Sequence, residues 1–286
     1  MKHILNIILF TVIKLLPIVD KMSFECYNIF CYINIGKANI MPKFFIDKND
    51  IKENFISISG GDATHISKVL RLKTGDNLTL CDGCGTDFDA QIISFTKDSV
   101  ELSIKKSRIC LAEPNVKVTL FQGLPKQGKM DFIIEKCTEM GIFRIVPVLA
   151  KRSVVTLRDD KAEDKKLSRW RKIASESVKQ CGRGEIPEIS DVVSFKEAVE
   201  LSKDLDLVIA PYENEVACAI SSALRAKTPK TVGIFIGPEG GIADEEIAIL
   251  NENGIKTVTL GKRILRTETA GLAALTAVMY EYGELN

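Results

Sequence analysis

The sequence predicts a two-part α/β protein: a small β-rich domain, then a larger domain whose strands and helices alternate around a largely parallel sheet. Three observations carry this. From residue 43 to about residue 111, apolar residues come in short alternating runs separated by Gly, Asp and Asn turns, the rhythm of half-buried strands. After a proline-bearing joint at residues 111–115, each strand-like run is followed by a helical pattern up to the chain end. The 286 residues, 45% hydrophobic and 27% charged, are enough for one large core or two smaller ones.

Residues 1–40 open with "MKHILNIILFTVIKLLPIVDKM", which superficially resembles a signal peptide. Lys14 and Pro17 interrupt it, no small-x-small cleavage pattern follows, and the apolar run falls short of the roughly 18–20 residues that span a bilayer. The expectation is an extension of unknown role, disordered or from a start set too far upstream, with Met41 opening the folded chain and no membrane partner.

Residues 41–111 carry the strand-like runs "KFFI", "FISI", "NLTL", "FDAQIISF" and "SVELSI". One helical patch interrupts them: in "DATHISKVLR" Ile66, Val69 and Leu70 share a face and Asp62 is the expected N-cap. His65 reads first as a capping or packing histidine. Cys81 and Cys84 stand at metal spacing in "LCDGCGTD", but a structural zinc takes four ligands. With two histidines and no second such pair, the Asp-Gly reads as a hairpin turn, and no metal is expected. The eight cysteines follow no disulfide framework and read as reduced, cytosolic thiols.

In residues 112–286, "VKVTLFQG" precedes the helical "KQGKMDFIIEKCTEMG", and "RIVPVLA" precedes a long charged helix. "LDLVIAP" precedes "EVACAISSALRA", "TVGIFIG" precedes "DEEIAILNENG", and "KTVTLG" precedes "TETAGLAALTAVMYEYG". Ligand sites of parallel sheets lie at the carboxyl ends of the strands, so function is sought in those loops. In "IFIGPEGGIADEE" neither a dinucleotide fingerprint nor a phosphate loop is present, and Glu239 sits inside the turn with Asp244, Glu245 and Glu246 at the next helix start. Such a bend repels a triphosphate and suits a neutral adenosine or a cationic group; the plain alternative is a tight turn whose glycines only supply positive φ. One strand later, "TLGKRILRTETAG" crowds Lys262, Arg263 and Arg266 into a short loop before a helix that Thr267 is expected to cap. Together the two corners are expected to make one pocket with a basic lip, bringing Pro238 close to Leu265.

The pair "IGPEGG" and "LGKRILRTETA", with "KFFI", "HISKVLRLKTGD" and "ESVKQCGRGEIPEI", strongly resembles the RsmE family of 16S ribosomal RNA uridine N3-methyltransferases in the SPOUT superfamily. The resemblance runs from Met41 to the C-terminus. It implies a PUA-like β-barrel over residues 41–111, a SPOUT methyltransferase domain over residues 112–286 with a C-terminal trefoil knot, a homodimer, and a cytoplasmic enzyme acting on 16S ribosomal RNA or the small ribosomal subunit. It implies S-adenosyl-L-methionine bound by Ala210 and Pro211, by Ile236, Gly237, Pro238, Glu239 and Gly240, and by Leu260, Gly261, Ile264, Leu265, Thr269 and Ala270. Within that frame Arg266 is expected to stabilise the uracil oxygen or anion, Glu268 to orient it, and Arg183 with Gln180 to contact substrate; no general base is identified.

Overall charge advertises no polyanionic partner, since 39 Lys and Arg nearly cancel 38 Asp and Glu. Local charge does: residues 151–183 hold eleven Lys or Arg against five Asp or Glu, a net of +6. The expectation is an RNA-facing segment including Arg152; the alternative is a solvated helix laced with i,i+4 pairs. Lys43, His65, Arg71 and Lys73 are the candidates for RNA contact from the β-domain, with Lys43 standing where the resembled family commonly has arginine. Two other readings stay open: a methyltransferase of another RNA, and a non-catalytic RNA-binding protein of ribosome assembly.

Overall fold

A computed structural model describes residues 43–126, 128–154 and 160–285, and the expectations for residues 1–40 fall outside them. Strand β1 (Lys43–Phe45) pairs in parallel with β3 (Asn77–Cys81). From β3 the sheet continues antiparallel through β4 (Thr86–Phe95) and β5 (Ser99–Ile109) to β2 (Phe55–Ser59). The result is a five-stranded mixed sheet, order β1-β3-β4-β5-β2, over a core centred on Leu78, Leu80, Phe88, Ile92 and Leu102. The β3–β4 hairpin is the Cys81–Cys84 segment, as expected. Asp82 accepts the N–H groups of Cys84 and Thr86, and Gly83 takes a φ of +72°.

The helical patch differs from expectation at both ends. Helix α1 (Gly60–Thr64) begins before Asp62, which lies inside the first turn, and Ser59 occupies the N-cap position with no side-chain cap. The chain then widens into one π turn over His65–Val69. That turn breaks the expected face: Ile66 is buried while Val69 is 66% exposed.

The second sheet is parallel throughout. It contains β6 (Lys117–Gly123), β7 (Arg144–Leu149), β8 (Glu188–Ile189), β10 (Leu207–Pro211), β11 (Thr231–Ile236) and β12 (Lys256–Val258), with β9 (Val193–Ser194) beside β7. Its order is β12-β10-β11-β6-β7-β8. The helices are α2 (Lys129–Glu139), α3 (Asp160–Cys181), α4 (Phe195–Ser202), α5 (Ile220–Arg225), α6 (Asp244–Glu252) and α7 (Thr267–Glu281). One core packs α2, α3 and α7 on the sheet, and another centres on Phe121, which stacks on Phe235 with ring centroids 4.4 Å apart. The segments β8, β9 and α4 carry no sequence expectation, because two-residue strands are too short to alternate. Helix α5 is shorter than expected: residues 212–219 form a loop in which Glu215 accepts the N–H groups of Ala217 and Cys218 and the hydroxyl of Thr257.

Two enclosed ion pairs lie where the small sheet meets the segment after α3, and they involve two residues expected to contact substrate or RNA. Arg183, 4% exposed, pairs with Glu113 at 2.7 Å and donates to the carbonyls of Thr138 and Ile142. Glu113 sits in the proline-bearing joint and also accepts the N–H groups of Gly184 and Glu185. With its guanidinium engaged this way, Arg183 is held inside the protein and does not line the cleft described below. Lys43 is likewise enclosed, its Nζ 2.7 Å from Asp87 and donating to the Gly182 carbonyl. Burial pushes the Lys43 pKa down, but Asp87 and the nearby thiols more than reverse this, so the ammonium stays charged and is enclosed rather than exposed as expected.

Burial likewise pushes the Glu113 pKa up, and Arg183 with the two N–H groups more than reverses it, holding the carboxyl below its ordinary value. Removing one partner strands the other. Arg183→Met should therefore cost about 3–5 kcal/mol in urea unfolding at neutral pH, and a loss below about 1 kcal/mol would rule out the clamp. Because the folded pKa of Glu113 is depressed, its contribution is complete above about pH 5 and fades as pH falls through the carboxylate range. Glu113→Gln should flatten that acid limb of the stability profile.

Candidate functional site

Strands β10, β11 and β12 deliver their carboxyl ends to one place, and the start of α7 closes it. The cleft there has a volume of about 530 Å³ and is walled by residues 211–213, 236–242 and 259–267, with Lys129 and Ala270. That is the size of a small-molecule site. Pro238 and Leu265 both line it, so the two glycine-bearing corners do form one cradle.

Close backbone approach builds the turn. A Cβ on Gly123, the last residue of β6, would lie 2.7 Å from the Pro238 ring and backbone nitrogen. A Cβ on Gly237 would lie 2.7 Å from the Gly241 carbonyl carbon and 2.8 Å from the Ile242 nitrogen. These glycines let the chain fold on itself, so Gly237→Val would move the turn as well as fill the cleft. Thr267 then fastens α7 to the turn: its hydroxyl donates to the Gly237 carbonyl at 2.7 Å and accepts from the buried Gln122 amide at 2.9 Å. The hydroxyl is therefore not a helix cap, and Arg266 occupies the N-cap position without a side-chain bond. The third wall, residues 212–213, is held where Tyr212 N–H meets the Val258 carbonyl.

Most of the expected cofactor residues line the cleft: Pro211, Ile236 to Gly240, Leu260, Gly261, Ile264, Leu265 and Ala270. Ala210 and Thr269 do not. Ala210, within β10, is fully buried in the core, and Thr269 is exposed to solvent. Arg266 lines the cleft with Lys262 and Arg263, and the three form no ion pair among the described residues. Glu268 lies behind the wall, with Lys129 Nζ 3.2 Å from its Oε2. Tyr212 and Glu213, which continue the expected stretch after Pro211, also line the cleft, and Lys129 is a lining residue that sequence reasoning missed. Lys129 belongs to a different helix start, and nothing in local spacing links it to the two corners.

The carboxylate inside the turn is neutralised by the protein. Burial pushes the Glu239 pKa up, but its own backbone N–H, the Lys126 N–H and Lys129 hold it below the ordinary value. Arg152, an expected RNA contact, is also spent on this turn: it donates to the carbonyls of Gly240 and Ile242. Of the basic stretch, Lys151, Arg152, Arg169, Arg171 and Lys179 all pair with carboxylates of other elements, and among the described residues only Lys172–Glu176 is an i,i+4 pair. His65, Arg71, Lys73 and Gln180 are exposed, and the Lys179–Asp62 pair brings the end of α3, with Gln180, beside α1. His65 also meets Phe44 edge-on at 5.8 Å, a packing contact as expected.

Fold and cleft define a class: an α/β RNA methyltransferase domain carried with an RNA-binding module. Residues 112–279 match the family model for an RNA methyltransferase domain, and residues 58–105 match the one for an RNA methyltransferase PUA domain. The chain belongs to the ribosomal RNA small subunit methyltransferase E family. It is 38% identical to the member from Bacillus subtilis, covering 84% of this chain and 97% of that one. It is 31% identical to the member from Mesomycoplasma hyopneumoniae, covering 82% and 98%. A crystal structure of the member from Neisseria gonorrhoeae bound to S-adenosyl methionine superposes with a TM-score of 0.72 at 30% identity, covering 85% of this chain and 98% of that one.

The joint between the corners is open to test. Thr267→Val keeps the shape but leaves the Gly237 carbonyl without a partner and the Gln122 amide with its bond to the Gly123 carbonyl alone, at about 1–3 kcal/mol for the stranded carbonyl. Chemical denaturation should show at least that loss; an unchanged midpoint would mean that Thr267 does not hold the two corners together.

Proposed function

We propose that this protein transfers a methyl group from S-adenosyl-L-methionine to N3 of a uridine in 16S ribosomal RNA of the small subunit. One observation carries the reading: two consecutive corners of a parallel sheet, bare of phosphate-binding pattern, close into a single cleft whose basic lip has no ion-pair partner among the described residues. The residues present fit this cofactor. Pro211, Ile236, Leu260, Leu265 and Ala270 give an apolar bed for an adenosine, and the glycines of residues 237–241 leave backbone groups open beside it. When bound, the cofactor supplies an electrophilic methyl on a sulfonium.

The chain's own contribution is positioning and charge. Uridine N3 carries a proton at neutral pH, and the uracil anion left by its departure needs a cation beside it. Arg266, which lines the cleft with no carboxylate partner among the described residues, is our candidate for that task. Lys129 is not a base, because Glu239 and Glu268 raise its pKa above the ordinary lysine value and keep it protonated. His65, Arg71, Lys73 and Gln180 would meet RNA outside the cleft, the first three from the small domain. The reading extends to residues 41–111 as a closed PUA-like barrel, residues 112–286 as a SPOUT domain with a C-terminal trefoil knot, and a cytoplasmic homodimer.

The test is a methyl-transfer assay on small ribosomal subunits lacking the modification, with mass spectrometry of the released nucleosides. N3-methyluridine should accumulate; no transfer to subunits or to their free RNA would end the reading. Arg266→Ala should keep cofactor affinity within about tenfold, roughly 1.4 kcal/mol, yet lose turnover. Turnover that survives in this variant would remove Arg266 from the chemistry.

A further inference from the structure

The cleft wall contains a charge cluster that these roles leave unused. Lys129 opens α2, and its Nζ lies 3.0 Å from Glu239 Oε1 and 3.2 Å from Glu268 Oε2. The two carboxylates come from the two corners that build the cleft, Glu239 from the turn after β11 and Glu268 from the first turn of α7. A third element thus reaches both walls with one cation. Glu239 has a second tie, since the Lys126 N–H lies 3.0 and 3.2 Å from its two oxygens. Glu268 has none: Oε2 is closed off from solvent and receives no well-directed hydrogen bond, so Lys129 is the cation that faces it among the described residues. A buried carboxylate oxygen without compensation is unfavourable, so the position of Glu268 depends on Lys129. Gly128, at φ +86°, lets the chain enter α2 at the angle that carries Lys129 to the cleft.

Resting on the methyltransferase reading, we propose that Lys129 is a positioning residue for methyl transfer, latching the two corners of the cofactor cleft through Glu239 and Glu268. The latch holds shape and does not move protons. Donor and acceptor must meet in line within a few tenths of an ångström of the productive separation, so loosening one wall slows transfer and weakens cofactor binding together. The pH profile of turnover should keep its shape in Lys129 variants and fall only in height.

The experiment compares Lys129→Met, Lys129→Arg, Glu268→Gln and the Lys129→Met/Glu268→Gln double variant in the full-length protein. Amide hydrogen exchange of residues 237–242, measured without cofactor, should quicken about tenfold in Lys129→Met, with the melting temperature nearly unchanged. S-adenosylmethionine affinity should fall about tenfold in the same variant, Lys129→Arg should restore most of it, and the double variant should be no worse than Lys129→Met alone. Parent-like exchange and affinity in Lys129→Met, or additive losses in the double variant, would overturn the latch. If the parent protein itself fails to bind S-adenosylmethionine, the methyltransferase reading falls, and the cofactor-free exchange measurement still decides the latch.

Discussion

The site depends on one contact between two chain segments far apart in sequence: the Thr267 hydroxyl on the Gly237 carbonyl, backed by the Gln122 amide. Parallel strands end with carbonyls that the next helix does not automatically satisfy, and here one of them is claimed by the helix that follows a different strand. The bond converts two ordinary crossover corners into facing walls. It forms only because Gly123 at the end of β6 allows Pro238 to pack against bare backbone. Leu120 and Gln122 lie beneath Gly271 of α7, so the same strand that seats the turn also seats the closing helix.

Burial divides the cations of this protein into two populations with different work. Arg183 and Lys43 are enclosed where the two sheets meet, each with a carboxylate and at least one backbone carbonyl. Such pairs hold an arrangement in place more than they add net stability, because withdrawing two charges from water offsets most of their attraction. Arg152 and Lys129 stand between the populations, partly exposed but committed to the turn and walls of the cleft. Lys262, Arg263 and Arg266 remain without carboxylate partners among the described residues. Positive charge at that lip is not already compensated by neighbouring carboxylates and is open to an anionic group.

Much of the fold was legible along the chain. The alternation of apolar runs placed β6, β7, β10, β11 and β12, and the helices after them, because each buries a face whose period its own sequence repeats. The hairpin at Asp82 and Gly83 was legible for a similar local reason: a short side chain and a glycine shape the turn, to which residues 184–186 then bond. Two capping expectations failed because capping depends on where the helix begins. Asp62 and Thr267 each have the right chemistry, but α1 starts before Asp62 and the Thr267 hydroxyl is drawn to the Gly237 carbonyl.

The sequence by itself determined the strand and helix order, the two glycine-bearing corners and the family to which their residues point, since those features rest on local spacing and composition. Only the tertiary structure decided which charged side chains are free to act. Arg183, Arg152 and Arg266 are alike as letters in a string. The first is enclosed by Glu113 and two carbonyls, the second holds a turn, and the third faces an open cleft. Whether a cation is available is set by desolvation and by partners contributed from distant elements, and neither quantity exists until the chain has folded.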